Sequence, residues 1–376
     1  MSKIIQADHF RSGMTALRNW DVPLRMYYDE TNNIRRLSLS EVGLNVTANK
    51  MFAISGISLG PGQELSGWEE LRRAIHIQSS AAEVKFKHIA PPDYEAALAS
   101  RKLFDVLTWL LHNNVLIHYS VLDVLYWSIL DIIESLMPDD RLLIVPFHLE
   151  LKNELYDAVC IEPGAFMSLL HSFSYPNVER SRVQPFIEAV LYFIEQSVPI
   201  NRNVVTAMLK QTLRHAARLP GLELPFLQGN EPGDLISDFS FHFMHCIYIF
   251  KYASHVFDQE SYIERSLQSF DIWDGGRRLN YRFADSQGEI GIQVSDVITG
   301  LLGRHFTYLR NHSLPALRKK KATFSELQTK NLDLLRKLID QSDAFSNGLF
   351  HTVLPLDTIY KNNAFLHEQD TPGYLG

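Results

Sequence analysis

The order of strand-like and helix-like segments constrains this chain more than any single residue does. Pro23 to Asp29 (PLRMYYD) ends in a short aromatic-rich strand, closed by the polar cluster Glu30-Thr31-Asn32-Asn33. Ile34 to Leu44 alternates loosely. Lys50 to Leu59 (KMFAISGISL) is a strongly apolar strand that stops at Gly60-Pro61-Gly62. These three segments predict an antiparallel meander. Helical spacing follows over Ser66 to Ile77, then a short strand over Glu83 to Ile89 and a helix over Tyr94 to His112. Val115 to Val121 reads as a buried strand and Asp123 to Leu136 as a helix.

From about Pro138 to Asp238 helical spacing dominates, most clearly over Val183 to Ser197 and Asn203 to Leu219. Strand character then returns over Ala253 to Asp258 and Leu279 to Asp285, separated by a helix over Tyr262 to Phe270. Ile292 to Leu309 is a helix, and Thr323-Phe324-Ser325-Glu326 matches a capping box before a final helix. The last twenty or so residues lack periodicity and read as an extended tail.

This order predicts an α/β fold, a mixed sheet flanked by helices. A large helical insertion splits it and a C-terminal helical extension follows it. The expected boundaries are 22–137 for the first part of the core, 138–238 for the insertion, 239–310 for the second part, and 311–376 for the C-terminal helix and tail. With 376 residues, a chain of about 150 residues per domain would hold two or three units; the interrupted core is the alternative to that row.

Composition narrows the function classes. Hydrophobic residues are 46% and charged residues 21%, which argues against disorder. Cys160 and Cys246 are the only cysteines, so a disulfide scaffold is excluded and a cysteine zinc site has too few ligands. The net charge of −7 argues against a histone-like protein that binds nucleic acid by bulk charge, though not against a local basic groove. The N-terminus has no sustained apolar core, and VLIHYSVLDVLYWSILDII is broken by His118, Asp123 and Asp131. The expectation is a soluble, cytoplasmic protein without a membrane segment.

Acids recur where strands stop: Asp29 with Glu30 after it, Asp258, and Asp285, with Asp296 early in the following helix. Strand ends of an α/β sheet commonly gather in one cleft, and clustered carboxylates need a cation to stay ionised together. Mg²⁺ or Mn²⁺ is the hard partner for such oxygens, and two such ions can stabilise both oxygens of a phosphodiester exchange. Each acid taken singly also reads as a turn former or helix cap. Neighbours on a strand face opposite sides, so Asp29 and Glu30 share a site only if the strand ends between them. Glu83 and Lys85 share a side of the short strand, either as a solvated pair or as a ligand with a phosphate-contacting cation. Gln293 and Asp296 share a helix face, and Asp123 either joins the cleft or caps its own helix.

Phosphodiester chemistry at such a cleft would also need groups that hold phosphates. Lys210, Arg214 and Arg218 recur every four residues and form one stripe, which reads as a solvated face or as a phosphate-tracking arm of the insertion. Arg318-Lys319-Lys320-Lys321 and Arg277-Arg278-Arg282 are further basic runs with the same two readings. No Walker or dinucleotide Gly-rich loop and no Gly-x-Ser-x-Gly elbow occurs. His242 and His245 in FHFMHC read as core or boundary histidines.

Tyr28-Asp29-Glu30-Thr31-Asn32 resembles the opening signature of a widespread family, domain of unknown function 3800. MFAISGISL and AEVKFKHI are similar to its next landmarks, and NYRFADSQGEIGIQVSDVITGLL to its closing stretch, with Asp285, Ser286, Gln293, Asp296 and Gly300 at the marked positions. The landmarks run in family order from about Leu24 to Leu309, with Thr31-Asn32 where Ser-Gly is commoner. The resemblance implies a ribonuclease H-like fold and a metal-dependent nuclease or a relative of one. It implies Asp29 and Asp296 as metal ligands, then Glu30 and Glu83, with Asp258 as the middle carboxylate and Lys85, Asp285 and Gln293 in support.

The expected function is hydrolysis of RNA or DNA phosphodiesters with Mg²⁺ or Mn²⁺, in a setting such as bacterial defence or a mobile element by fold-level analogy. The alternative is a catalytically inactive interaction protein on the same scaffold, with a protein partner on the helical insertion. The choice between RNA and DNA, endo- or exonuclease action and oligomeric state have no signature in the chain.

Overall fold

The computed structural model describes residues 3–11, 16–78 and 81–369. Its centre is a six-stranded mixed sheet of β1 (Arg25–Thr31), β2 (Met51–Leu59), β3 (Leu116–Asp123), β4 (Ser254–Asp258), β5 (Asn280–Ala284) and β6 (Phe350–Val353). The spatial order is β5-β4-β1-β2-β3-β6. β2 runs antiparallel to both β1 and β3, while β4 is parallel to β1, β5 to β4, and β6 to β3. Every residue of β2 and β3 is buried, as befits central strands covered on both faces.

The expected meander is half right. Ile34 to Leu44 does not enter the central sheet. Leu37–Ser40 pairs with Gly43–Leu44 on one side and with Asp234–Ile236 on the other in a separate ribbon. The left-handed residues Asn32 and Arg35 turn the chain away, and both edges of β2 are taken by β1 and β3. The expected strand over Glu83 to Ile89 is instead an irregular segment and one helical turn, Phe86–Ile89. Phe86 and Ile89, three apart, are both buried, and a helical turn places them on one side.

Helices cover both faces. The labelled ones are α1 (Arg101–His112), α2 (Val124–Glu134), α3 (His148–Val159), α4 (Pro163–Ser172), α5 (Val183–Ser197), α6 (Val204–Ala216), α7 (Ser240–Ile249), α8 (Ile290–Asn311), α9 (Leu314–Lys321), α10 (Glu326–Phe345) and α11 (Leu356–His367). The expected tail thus contains β6 and α11, which pack through Phe350, Phe365 and Leu366. The cap of α10 lies two residues beyond the expected box: Ser325 Oγ accepts from Gln328 N at 3.3 Å, and Gln328 Oε1 accepts from Ser325 N at 2.8 Å. Tyr94 to His112 is broken at Ser100, which caps α1.

One face of the sheet carries Tyr27, Ala53 and Ile57 against α8, α1 and α10. The other carries Tyr28, Phe52, Ile54 and Phe257 against α7. Helices α2 to α6 build a core of their own around Ile129, Leu155, Phe186 and Leu213.

Helix α8 lies unusually close to β1 and β2 because small residues recur every fourth position: Gly291, Ser295, Thr299 and Gly303. A Cβ on Gly291 would fall 2.3 Å from the Tyr27 ring, and one on Gly303 2.6 Å from Thr31 Cγ2. Ser295 donates to Tyr27 O at 3.0 Å and Thr299 to Ser55 O at 3.0 Å. This close seating sets where the side chains on α8 stand relative to the end of β1. Among the described residues no helix is long and apolar enough to cross a membrane.

Candidate functional site

Strand register brings the acids together. Tyr28 of β1 pairs with Phe257 of β4, and Asp258 of β4 pairs with Ala284 of β5. The row after Tyr28 therefore sets Asp29 beside Asp258, with Asp285 one residue beyond β5. Asp29 lies opposite Ser55 across β2, and the Ser55 hydroxyl donates to Thr299 of α8 at 2.8 Å. Residues directly opposite share a face, so Asp29 faces α8.

Glu30 does not join it. β1 continues to Thr31 rather than ending between the two acids, and Glu30 pairs with Ile54, whose side chain belongs to the α7 face. Strand alternation thus sends Glu30 to the other side of the sheet. Its hydrogen-bond partner there is the Asn33 amide, at 3.5 Å.

The segment before Phe86 is clipped to α8 by two side chains. Gln293 Oε1 accepts from Val84 N at 3.0 Å, and Asp296 Oδ1 accepts from Phe86 N at 2.5 Å. Gln293 also donates to Ser286 O at 2.8 Å, and the Ser286 hydroxyl donates to Glu83 at 2.5 Å. Lys85 pairs with Glu83 at 3.1 Å. Gln293 therefore ties together the two chain segments that flank the acids. Asp285 is exposed and caps the turn after it, accepting from Gln287 N at 2.9 Å.

The electrostatics describe one coupled cluster. Burial, then the charges of Asp296, Glu30 and Asp258, hold the Asp29 carboxyl well above the usual carboxylate range. Burial also raises Asp296 and Asp258, each only partly relieved by a backbone N–H and by Lys85. Burial raises Glu30 to about 7 despite the Asn33 amide. Glu83 goes the other way: burial pushes it up, but the Ser286 hydroxyl and the Lys85 ammonium together hold it lower. Lys85 is raised first by its hydrogen bond to Glu83 and also feels Asp296 and Asp258.

The donor set is all carboxylate oxygen, and no side chain donates to Asp29 among the described residues, which is the chemistry a hard cation suits. The side chains as they stand are not closed into a cage: among the described residues no group of three or more His, Cys, Asp and Glu is disposed to hold a metal.

The basic stripe is not a continuous surface. Lys210 is buried and donates to Val198 O at 2.5 Å, satisfying the carbonyl just past α5. Arg214 pairs with Glu195, and Arg218 is exposed beyond the end of α6. In the other basic runs Arg278 pairs with Asp271, Arg282 with Glu289, Lys320 with Glu95 and Lys321 with Glu368. His242 and His245 are buried, and burial lowers them to about 3 and about 2.

Asp123 is fully buried and caps α2. It accepts from Tyr126 N at 2.9 Å, from the Tyr156 hydroxyl at 2.7 Å and from Arg310 Nε at 2.7 Å. It joins β3, the insertion and the far end of α8, away from the acid cluster.

Arg304, eight residues after Asp296 on α8, is absent from the sequence-predicted site, and Thr31, two residues after Asp29 on β1, enters it only as part of the opening signature. Helical and strand spacing from the two named acids was the available signal. No family model, curated protein or solved structure matches this chain.

Proposed function

We propose that this protein is a divalent-metal-dependent phosphodiesterase acting on nucleic acid, on a ribonuclease H-like core. One observation carries the reading: in the order β5-β4-β1-β2-β3, Asp29, two residues before the end of β1, and Asp258, the last residue of β4, lie on adjacent parallel strands on the face where α8 presents Asp296. The ribonuclease H-like assignment is supported by the same order, an antiparallel run of three strands with two more parallel to the first.

Asp29 and Asp296 would hold Mg²⁺ or Mn²⁺, with Asp258 and Glu83 next in reach of the same cluster. When bound, such an ion lowers the pKa of an attacking water and stabilises charge on the phosphodiester oxygens. The chain's own residues do the positioning. Phe86 N–H fixes one oxygen of Asp296, leaving the other free to turn to the cluster. Gln293 and Ser286 orient Glu83, and Lys85 offers a point charge to a phosphate oxygen beside Asp258 and Asp296. Glu30, on the other face, has no part in the reading.

The test is cleavage of single-stranded, duplex and hybrid nucleic acids with Mg²⁺ or Mn²⁺, stopped by chelator. Asp29→Asn with Asp296→Asn should lower the rate by about 10³-fold or more, roughly 4 kcal/mol of transition-state stabilisation. Full activity in that double variant would sink the proposal.

A second reading has its own observation. Leu143, Val145, Phe147, Leu149 and Ile161 of the insertion are exposed, and among the described residues the acids form no closed cage. A non-catalytic interaction protein on this scaffold would bind no metal and would be indifferent to the acid substitutions.

A further inference from the structure

Arg304 is the cation nearest in kind to what a nucleic acid needs. It stands two turns after Asp296, about 12 Å along the axis of α8. Its Nε donates to Pro92 O at 2.8 Å and its Nη1 to Gly300 O at 2.8 Å, with the guanidinium 4.2 Å over the Phe86 ring. Nη2 has no partner among the described residues, and no carboxylate forms an ion pair with Arg304 among them. The contrast with Arg310 on the same helix, locked to Asp123, is direct. A half-buried guanidinium held by carbonyls and left without an anion is aimed and unused. Burial lowers its pKa and Asp296 opposes that, so the acid cluster is close enough to act on it.

Arg304 lines a cleft of about 410 Å³ with Thr31, Asn32, Asp93, Asn311 and His312. That volume suits a nucleotide-sized group. The Thr31 hydroxyl and the Asn311 amide, like Nη2, have no hydrogen-bond partner among the described residues. Lys50, outside the lining, donates to Asn32 Oδ1 at 3.4 Å. Asp93 is the one acid of the lining, and its Oδ1 is taken by Ala96 N at 2.9 Å. The cleft adjoins the acids on both elements: Thr31 follows Asp29 on the same side of β1, and Arg304 follows Asp296 along α8.

The geometry points to this cleft as a second phosphate subsite, in which Arg304, Thr31 and Asn311 hold the backbone phosphate next to the one presented to Asp29 and Asp296. This rests on the proposed phosphodiesterase reading for its scissile phosphate, but binding needs no catalysis and is tested apart from it.

The experiment measures binding of short fluorescent single-stranded RNA and DNA to the full chain in chelator, at several salt concentrations, beside cleavage with Mn²⁺. Arg304→Gln should weaken binding about tenfold and reduce the slope of log affinity on log salt by about one. Asn311→Ala, which removes no side-chain hydrogen bond among the described residues, should weaken binding about threefold to tenfold. In any cleavage reaction both should raise KM more than they lower kcat. A mononucleotide and inorganic phosphate should compete only weakly, since they lack the neighbouring phosphate. Wild-type binding lost in Arg304→Gln without any cleavage would keep the subsite and sink the enzyme. Cleavage with unchanged KM and binding in both variants would sink the subsite and keep the enzyme. No binding by the wild-type chain, or competition by inorganic phosphate as strong as by the oligonucleotide, overturns the inference.

Discussion

Asp29 and Asp123 make an instructive pair. Both sit near or at the C-terminal ends of strands in one sheet, on β1 and β3, which run in the same direction on either side of β2. Asp123 is fully buried and takes three donors, one of them a guanidinium. Asp29 has no side-chain donor among the described residues and faces Asp258 and Asp296. The same residue type is a joint in one place and, in the other, an acid without a counter-charge, held above its usual range. A strand-end acid is therefore diagnostic only through its partners: where the fold supplies a cation the acid is structural, and where it supplies more acids the carboxyl is pushed above its usual range.

The contrast can be broken at several points. The largest effect is on chemistry: the Asp29→Asn, Asp296→Asn pair should abolish metal-dependent cleavage, while Asp123→Asn, if folded, should cleave near the wild-type rate. Equal loss in both would mean that the acids near β1 act through stability alone. Next is stability. Arg310→Ala strands the Asp123 carboxylate in the interior and should cost about 3–5 kcal/mol in a urea titration. Asp29→Asn removes like-charge repulsion and should cost nothing or raise stability. A loss comparable with that of Arg310→Ala would overturn the comparison.

Metal binding comes third. Mn²⁺ at about a hundred times its Kd should stabilise the wild-type chain by about 2.7 kcal/mol and leave Asp296→Asn unmoved. No thermal shift at millimolar metal would argue for the interaction reading. The smallest effect is in pH dependence, measured in chelator. Glu30 is raised to about 7, so the folded state holds its proton where the unfolded chain has released it. Its contribution is full below the unfolded value of about 4.3 and is lost as pH rises through about 7. Glu30→Gln should therefore be more stable than wild type at about pH 8 and converge with it near pH 4, by about 1.4 kcal/mol per pH unit at most between. A constant offset across that range would place the effect in packing instead. Because Glu30 faces α7, this variant should leave cleavage intact.

Much of the fold was legible because its signals are local. The apolar run of β2 and the helical spacing of α5 and α8 depend on period alone. Ile34 to Leu44 misled because loose alternation says nothing about whether a sheet edge is free. The tail misled because β6 and α11 are short and gain their order from packing on β3 and α8. Lys210 shares a helical stripe with two arginines in sequence, but its stem lies in the interior and its ammonium answers a carbonyl.

The sequence by itself determined that acids lie at or near strand ends, that one helix carries Gln293 and Asp296, and that helical spacing dominates between the two groups of strands. Periodicity and chain order contain that much. Tertiary structure alone decided which acids meet. Strand direction and register set Asp29 beside Asp258, one-residue alternation sent Glu30 to the opposite face, and the small residues of α8 brought Asp296 and Arg304 down onto β1. Electrostatic character then followed from distance and burial, which no composition encodes. A carboxylate's role depends on the charge that shares its few ångströms, and those neighbours come from strands, turns and helices far apart in the chain.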